Sequence, residues 1–120
     1  MKTAQNTRSL ALLVRDPWWI FAYWRVGERG PLTLRVYEVS GVELPNCRAF
    51  FDIGLSENQD HWYVDVGKPD SEWIAEIGVR QSDGRFESFV RSNRVKTPRA
   101  MPSEKTFSLS SYSLFKIEDE

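Results

Sequence analysis

Apolar residues recur at every second position through most of the chain up to about residue 95, and helical spacing is weak. Leu10, Leu12 and Val14 alternate with Ala11, Leu13 and Arg15. Both sets are largely apolar, which predicts a strand covered on both sides. Asp16-Pro17 breaks that run. Trp19, Phe21 and Tyr23 then alternate with Ile20, Ala22, Trp24 and Val26. A loop containing Gly27, Gly30 and Pro31 follows. Next, Leu32, Leu34 and Val36 point one way, and Thr33, Arg35 and Tyr37 the other.

Ser40-Gly41 and Pro45-Asn46 mark the next turns, and Ala49, Phe51, Ile53 and Leu55 share a strand face. Trp62, Val64 and Val66 oppose His61, Tyr63 and Asp65. Trp73, Ala75, Ile77 and Val79 alternate with Ile74, Glu76, Gly78 and Arg80. Asp83-Gly84 is a strong hairpin signal, and a last strand runs from about Arg85 to Ser92. The pattern predicts an all-β fold: an antiparallel, Ig-like β-sandwich of about seven strands with an extended C-terminal arm.

The expected organisation is a flexible N-terminus over residues 1–8, a sandwich over 9–100, and an arm over 101–120 that is partly docked or disordered. The arm carries Phe107, Leu109, Tyr112, Leu114 and Phe115, too apolar for an inert tail, and is read as a candidate interaction arm. It could dock on its own domain or on a second copy.

Composition narrows the chemistry. The chain has 120 residues, 28% of them charged, with a net charge of −1, so no global field draws it to nucleic acid or an anionic membrane. No stretch approaches the ~20 apolar residues of a membrane span. With a single histidine (His61) and a single cysteine (Cys47), neither a disulfide nor a zinc site is expected. No cofactor is expected, and a reducing cytoplasm is the simplest compartment. A triad built on His61 lacks a nucleophile elbow, and no spacing aligns two carboxylates for glycoside hydrolysis. The expected role is therefore non-catalytic.

Several motifs occur in order. Asp16-Pro17-Trp18-Trp19 opens a run that ends at Trp24, and the segment from Leu34 to Val39 follows. Then come Trp62-Tyr63-Val64-Asp65-Val66, Ala75-Glu76-Ile77-Gly78, Asp83-Gly84-Arg85-Phe86 and a stretch from Arg91 to Arg99. Together they resemble the bacterial family of uncharacterised domains DUF4912, over about residues 9–100. The resemblance implies an Ig-like or early-set sandwich, a group that also supplies glycogen- and starch-binding modules. Some relatives are joined to family-57 glycoside hydrolase-like domains, and others to segments like the nucleic-acid-binding N-terminus of the Rho terminator. The resemblance implies no catalytic residue.

Three binding roles follow. The first is protein–protein interaction or self-assembly through a sheet edge or the arm. The second is α-glucan binding through exposed aromatics; Trp18, Trp19, His61, Tyr63 and Asp65 are the candidate ligand residues. The third is nucleic-acid binding through a basic patch of Arg85, Arg91, Arg94, Lys96 and Arg99. Residues 80–105 hold seven basic residues against three acidic ones. Phe21, Trp24 and Trp62 are expected in the core. Arg35 and Glu76 could pair across a sheet, and Ser92-Asn93 is expected to clasp a strand end.

Overall fold

In the computed structural model the described residues are 8–28 and 30–101. They form eight strands: β1 (Ser9–Val14), β2 (Trp19–Arg25), β3 (Leu32–Glu38), β4 (Ala49–Leu55), β5 (His61–Asp65), β6 (Glu72–Arg80), β7 (Phe86–Arg91) and β8 (Val95–Lys96). One sheet has the order β1-β2-β5. The other has the order β4-β3-β6-β7, with β8 also paired to β6, and all pairings are antiparallel. The core lies between the sheets. Leu12, Ile20, Ala22 and Val64 meet it from one side, and Leu34, Val36, Ala75 and Ile77 from the other.

The alternation therefore fixes which face is buried along most strands. Trp24 is in the core as expected, its indole N–H donating to the Gln59 carbonyl at 3.1 Å. Three expectations need correction. Leu13 and Val14 are exposed, so β1 is covered on one side only. Phe21 lies on the outer face of β2, because Ile20, Ala22 and Trp24 take the inner one. Trp62 does point inward, opposite Ala22, but β5 is an edge strand and the indole is exposed.

Arg35 and Glu76 stand opposite each other in register, yet each bonds elsewhere. Arg35 forms a bidentate pair with Asp52 on the other neighbouring strand, at 2.8 and 3.1 Å. Its guanidinium lies between the rings of Phe50 and Phe86, 4.2 and 4.4 Å from their centroids. Glu76 accepts from the Tyr37 hydroxyl at 2.7 Å and from Arg91 at 3.1 Å. Asp52, Arg35, Glu76 and Arg91 thus form a row of alternating charge across β4, β3, β6 and β7. Planar Arg suits this row because it can fork onto a carboxylate while stacking on rings.

The clasp expected at Ser92-Asn93 spans the two sheets. Leu12 N–H donates to Asn93 Oδ1 at 2.8 Å, and Asn93 Nδ2 donates to the Leu12 carbonyl at 3.1 Å. Asn93 thereby supplies the two groups that a neighbouring strand would offer to the edge of β1. Ala75 N–H donates to Ser92 Oγ at 2.9 Å. Further on, fully buried Thr97 pins the chain to the β5–β6 connection: its hydroxyl bonds the Lys68 carbonyl at 2.9 Å and accepts from Ser71 N–H at 3.1 Å.

Residues 1–7 and the expected arm, with Phe107, Leu109, Tyr112, Leu114 and Phe115, lie outside the described residues. Arg8 is described: it pairs with Glu28 and sits over the Phe89 ring.

Candidate interaction face

The outer face of the three-stranded sheet is where the sequence and the fold converge on a surface. Strand pairing places Leu13 opposite Phe21, and Phe21 opposite Tyr63. The next row holds Ala11, Tyr23 and His61, and beyond Phe21 lies Trp19 opposite Asp65. The side chains of each row therefore stand side by side on one face. The Phe21 ring is 4.7 Å from Tyr63, 5.7 Å from Tyr23 and 5.8 Å from His61, with interplanar tilts of 30–47°. The Arg15 guanidinium lies 5.8 Å from the Trp19 ring and 5.6 Å from Tyr63.

These contacts hold the aromatics without covering them. Leu13 is 53% exposed, Tyr23 45% and Tyr63 52%. A shallow depression of about 510 Å³ runs among Leu13, Phe21, Tyr23, Asp60, His61 and Tyr63, with Trp24 beneath. Its polar rim is the Asp60 carboxylate bonded to His61 Nδ1 at 2.8 Å.

Of the candidate ligand residues, the fold brings Tyr63 and His61 into this depression. Trp19 and Asp65 sit on the same face beyond it. Trp18 stays at the turn. Its N–H and that of Trp19 donate to Asp16 Oδ1 at 2.8 and 2.9 Å, and its carbonyl accepts from Val66 and Gly67. Phe21, expected in the core, and Tyr23 complete the surface, and neither is among the candidate ligand residues. Their strand is apolar on both sides, and only the aliphatic character of Ile20 and Ala22 hints which side is inward.

The basic patch is extensively ion-paired. Arg85 pairs with Asp83 at 2.9 Å, Arg91 with Glu76 at 3.1 Å, and Lys96 with Asp70 at 3.5 Å. Arg94 pairs with Glu72 at 2.8 Å and Glu43 at 3.1 Å, and also donates to the Val39 and Val42 carbonyls. The Gly41 N–H and this arginine hold the Glu72 carboxyl below its ordinary pKa. Arg99 is exposed. On the neighbouring outer face, burial and then the bond to Glu76 push the Tyr37 hydroxyl well above the ordinary tyrosine range.

Cys47 is a half-buried free thiol in the β3–β4 connection. Among the described residues no group of three or more His, Cys, Asp or Glu is placed to hold a metal ion. Nor is any helix among them long and apolar enough to cross a membrane.

The strand orders and antiparallel pairing define a fibronectin III-like β-sandwich. The FN5 domain of Drosophila Lar has a similar structure, with a TM-score of 0.56 at 15% identity, over 77% of this chain and 94% of that domain. The third fibronectin III domain of the human KIAA0343 protein gives a TM-score of 0.49 at 13% identity, over 81% of this chain and 88% of that one. No curated protein matches the chain. The sequence does match DUF4912, a domain of unknown function, over residues 6–107, and the chain belongs to that family.

Proposed function

We propose that this domain is a non-catalytic interaction module and that a second copy of the chain packs on the outer face of its three-stranded sheet. The observation that supports this most is the contiguous exposed patch of Leu13, Tyr23 and Tyr63 around Phe21. An apolar sheet face gains stability when another face excludes water from it, and contiguous patches of this kind mark contact sites. The outer face of the other sheet carries the paired row of Asp52, Arg35, Glu76 and Arg91, with exposed Phe50 against Arg35 and Tyr37. A net charge of −1 opposes association between copies only weakly. The fold itself fits a non-catalytic module.

The test is the mass in solution of the full chain, by light scattering over a range of concentrations. The wild type is expected above the 14.0 kDa of a single chain. The double variant Leu13→Asp, Tyr23→Asp is expected at the single-chain mass with an unchanged circular dichroism spectrum. A wild type that stays at the single-chain mass throughout would refute self-association.

A second reading, α-glucan binding, draws support from the Asp60–His61 rim beside the Phe21 and Tyr63 rings, since sugars pair hydroxyls with acceptors and ring faces with aromatics. It predicts quenching of tryptophan fluorescence by maltooligosaccharides that Tyr63→Ala abolishes. Nucleic-acid binding draws the least support, because Arg85, Arg91, Arg94 and Lys96 already face carboxylates.

A further inference from the structure

The three-stranded sheet ends in two edges, β1 and β5. At β1, Asn93 occupies the backbone groups of Leu12. The edge of β5 is open. Trp62 stands opposite fully buried Ala22 and so points inward, yet it is 44% exposed. A shallow depression of about 390 Å³ lies along this edge among Gln59, His61, Trp62 and Tyr63. No lysine, proline or bulge within β5 discourages a further strand there.

The hydrogen bonds to β2 fix which backbone groups remain at the edge. Trp24 N–H donates to the Asp60 carbonyl at 2.9 Å, and Val66 N–H to the Trp18 carbonyl at 3.0 Å. Even-numbered residues of β5 therefore bond toward β2. By the alternation of an antiparallel ladder, the N–H and C=O of His61, Tyr63 and Asp65 point away from it. The His61 carbonyl accepts from Gln59 Nε2 at 3.2 Å and keeps a second lone pair.

We propose that β5 pairs antiparallel with β5 of a second copy, about a two-fold axis at Tyr63. The strand is self-complementary in this register. Centring at Tyr63 is the one alignment that overlaps all of His61–Asp65, and it sets the outward backbone groups of His61, Tyr63 and Asp65 against one another. On the outer face, His61 of each copy stands opposite Asp65 of the other, a pairing of opposite polarity that stabilises a sheet. The Asp65 carboxylate is exposed and has no hydrogen-bond or ion-pair partner among the described residues, so it is available for that role. On the inner face, Trp62 meets Val64 of the second copy at a close, non-hydrogen-bonded position, which covers the wet indole.

This inference rests on the face contact proposed above and extends it. The edge axis stands perpendicular to the sheet, so the outer faces of both copies lie on the same side of one continuous sheet. A face-to-face contact that uses the same surface on both copies has its two-fold axis parallel to the sheets. The two axes are perpendicular, and together they generate a closed assembly of four chains with D2 symmetry. One pairing of strands this short is weak alone. In the four-chain assembly two such pairings act together, and each raises the effective concentration for the other. Loss of the face contact therefore takes the edge pairing with it.

Light scattering on the full chain over a range of concentrations tests the edge. The wild type is expected to reach four times the 14.0 kDa of a single chain. Trp62→Lys, which places a charge opposite Val64 of the second copy and leaves the outer face untouched, is expected to stop at twice that mass with an unchanged circular dichroism spectrum. The register is read separately by the variant Cys47→Ser, Trp62→Cys, Val64→Cys under mild oxidation. It is expected to give a two-chain band on a non-reducing gel, since both introduced thiols point inward, where the face contact cannot join them. A wild type that stops at twice the single-chain mass, with Trp62→Lys the same, would overturn the edge pairing and leave the face contact standing. Absence of the cross-linked band would likewise overturn it. A wild type at the single-chain mass throughout would overturn both.

Discussion

Replacing Asn93 with alanine removes the link that joins the edge of β1 to the other sheet. Two hydrogen bonds are lost, from Leu12 N–H at 2.8 Å and to the Leu12 carbonyl at 3.1 Å. Each such bond contributes about 0.5–1.5 kcal/mol net, and two are lost together at the edge of β1. The expected loss is therefore about 2 kcal/mol. For a domain of this size that corresponds to a fall in melting temperature of roughly 8–16 °C. Urea unfolding followed by tryptophan fluorescence reads the loss as a lower midpoint with an unchanged slope, because the surface exposed on unfolding stays the same. Asn93→Asp is a sharper control. It keeps an acceptor for Leu12 N–H but sets a carboxylate oxygen against the Leu12 carbonyl, so it should not restore the midpoint. A loss below about 0.5 kcal/mol for Asn93→Ala, or full stability in Asn93→Asp, would refute the claim that this side chain acts as a strand partner.

Two further substitutions probe the five-stranded sheet. At the bulge between Ile77 and Gly78, a Cβ on residue 78 would run into the Glu87 carbonyl, with the carbonyl carbon at 2.8 Å and Ser88 Cα at 2.9 Å; Gly78→Ala should cost about 1–3 kcal/mol in urea unfolding, and a neutral effect would contradict that backbone approach. Because Tyr37 has its pKa raised in the fold, its contribution to stability is complete below the unfolded value of ~10 and is lost progressively as the pH rises from there through the higher folded value. An ultraviolet difference titration of wild type against Tyr37→Phe should accordingly show no tyrosine ionising near pH ~10 at this position, and a normal step there would contradict the buried bond to Glu76.

The sequence makes much of this architecture legible, and particular residues show why the rest is not. Strict alternation in Leu32, Leu34 and Val36 identifies the buried face of β3 because its other face is polar. The same reasoning fails for β2, where aromatic Trp19, Phe21 and Tyr23 compete with Ile20, Ala22 and Trp24 for the core. Hydrophobicity there cannot decide, and the fold buries Ile20, Ala22 and Trp24. Trp62 shows a second limit: its direction is readable from period, but its exposure depends on β5 being an edge, a property of topology. Arg35 shows a third. Its need for a partner is plain from its apolar neighbours, yet two strands flank it, and Asp52 lies on one that alternation alone does not place.

The candidate site divides the same way. Tyr63 and His61 share a face by period alone. Their meeting with Phe21 depends on β2 and β5 pairing across thirty-odd residues of intervening chain, which local pattern does not specify. The basic patch was legible as composition, but its carboxylate partners come from turns and neighbouring strands: Asp83, Glu76, Glu72, Glu43 and Asp70.

The most direct test of the interaction face is a dilution series followed by backbone and aromatic chemical shifts of the full chain. Concentration-dependent shifts are expected at Leu13, Phe21, Tyr23 and Tyr63, with Arg35, Asp52, Glu76 and Arg91 unmoved. Shifts confined to that second group, or none at any concentration, would contradict the assignment of the outer face of the three-stranded sheet as the contact surface.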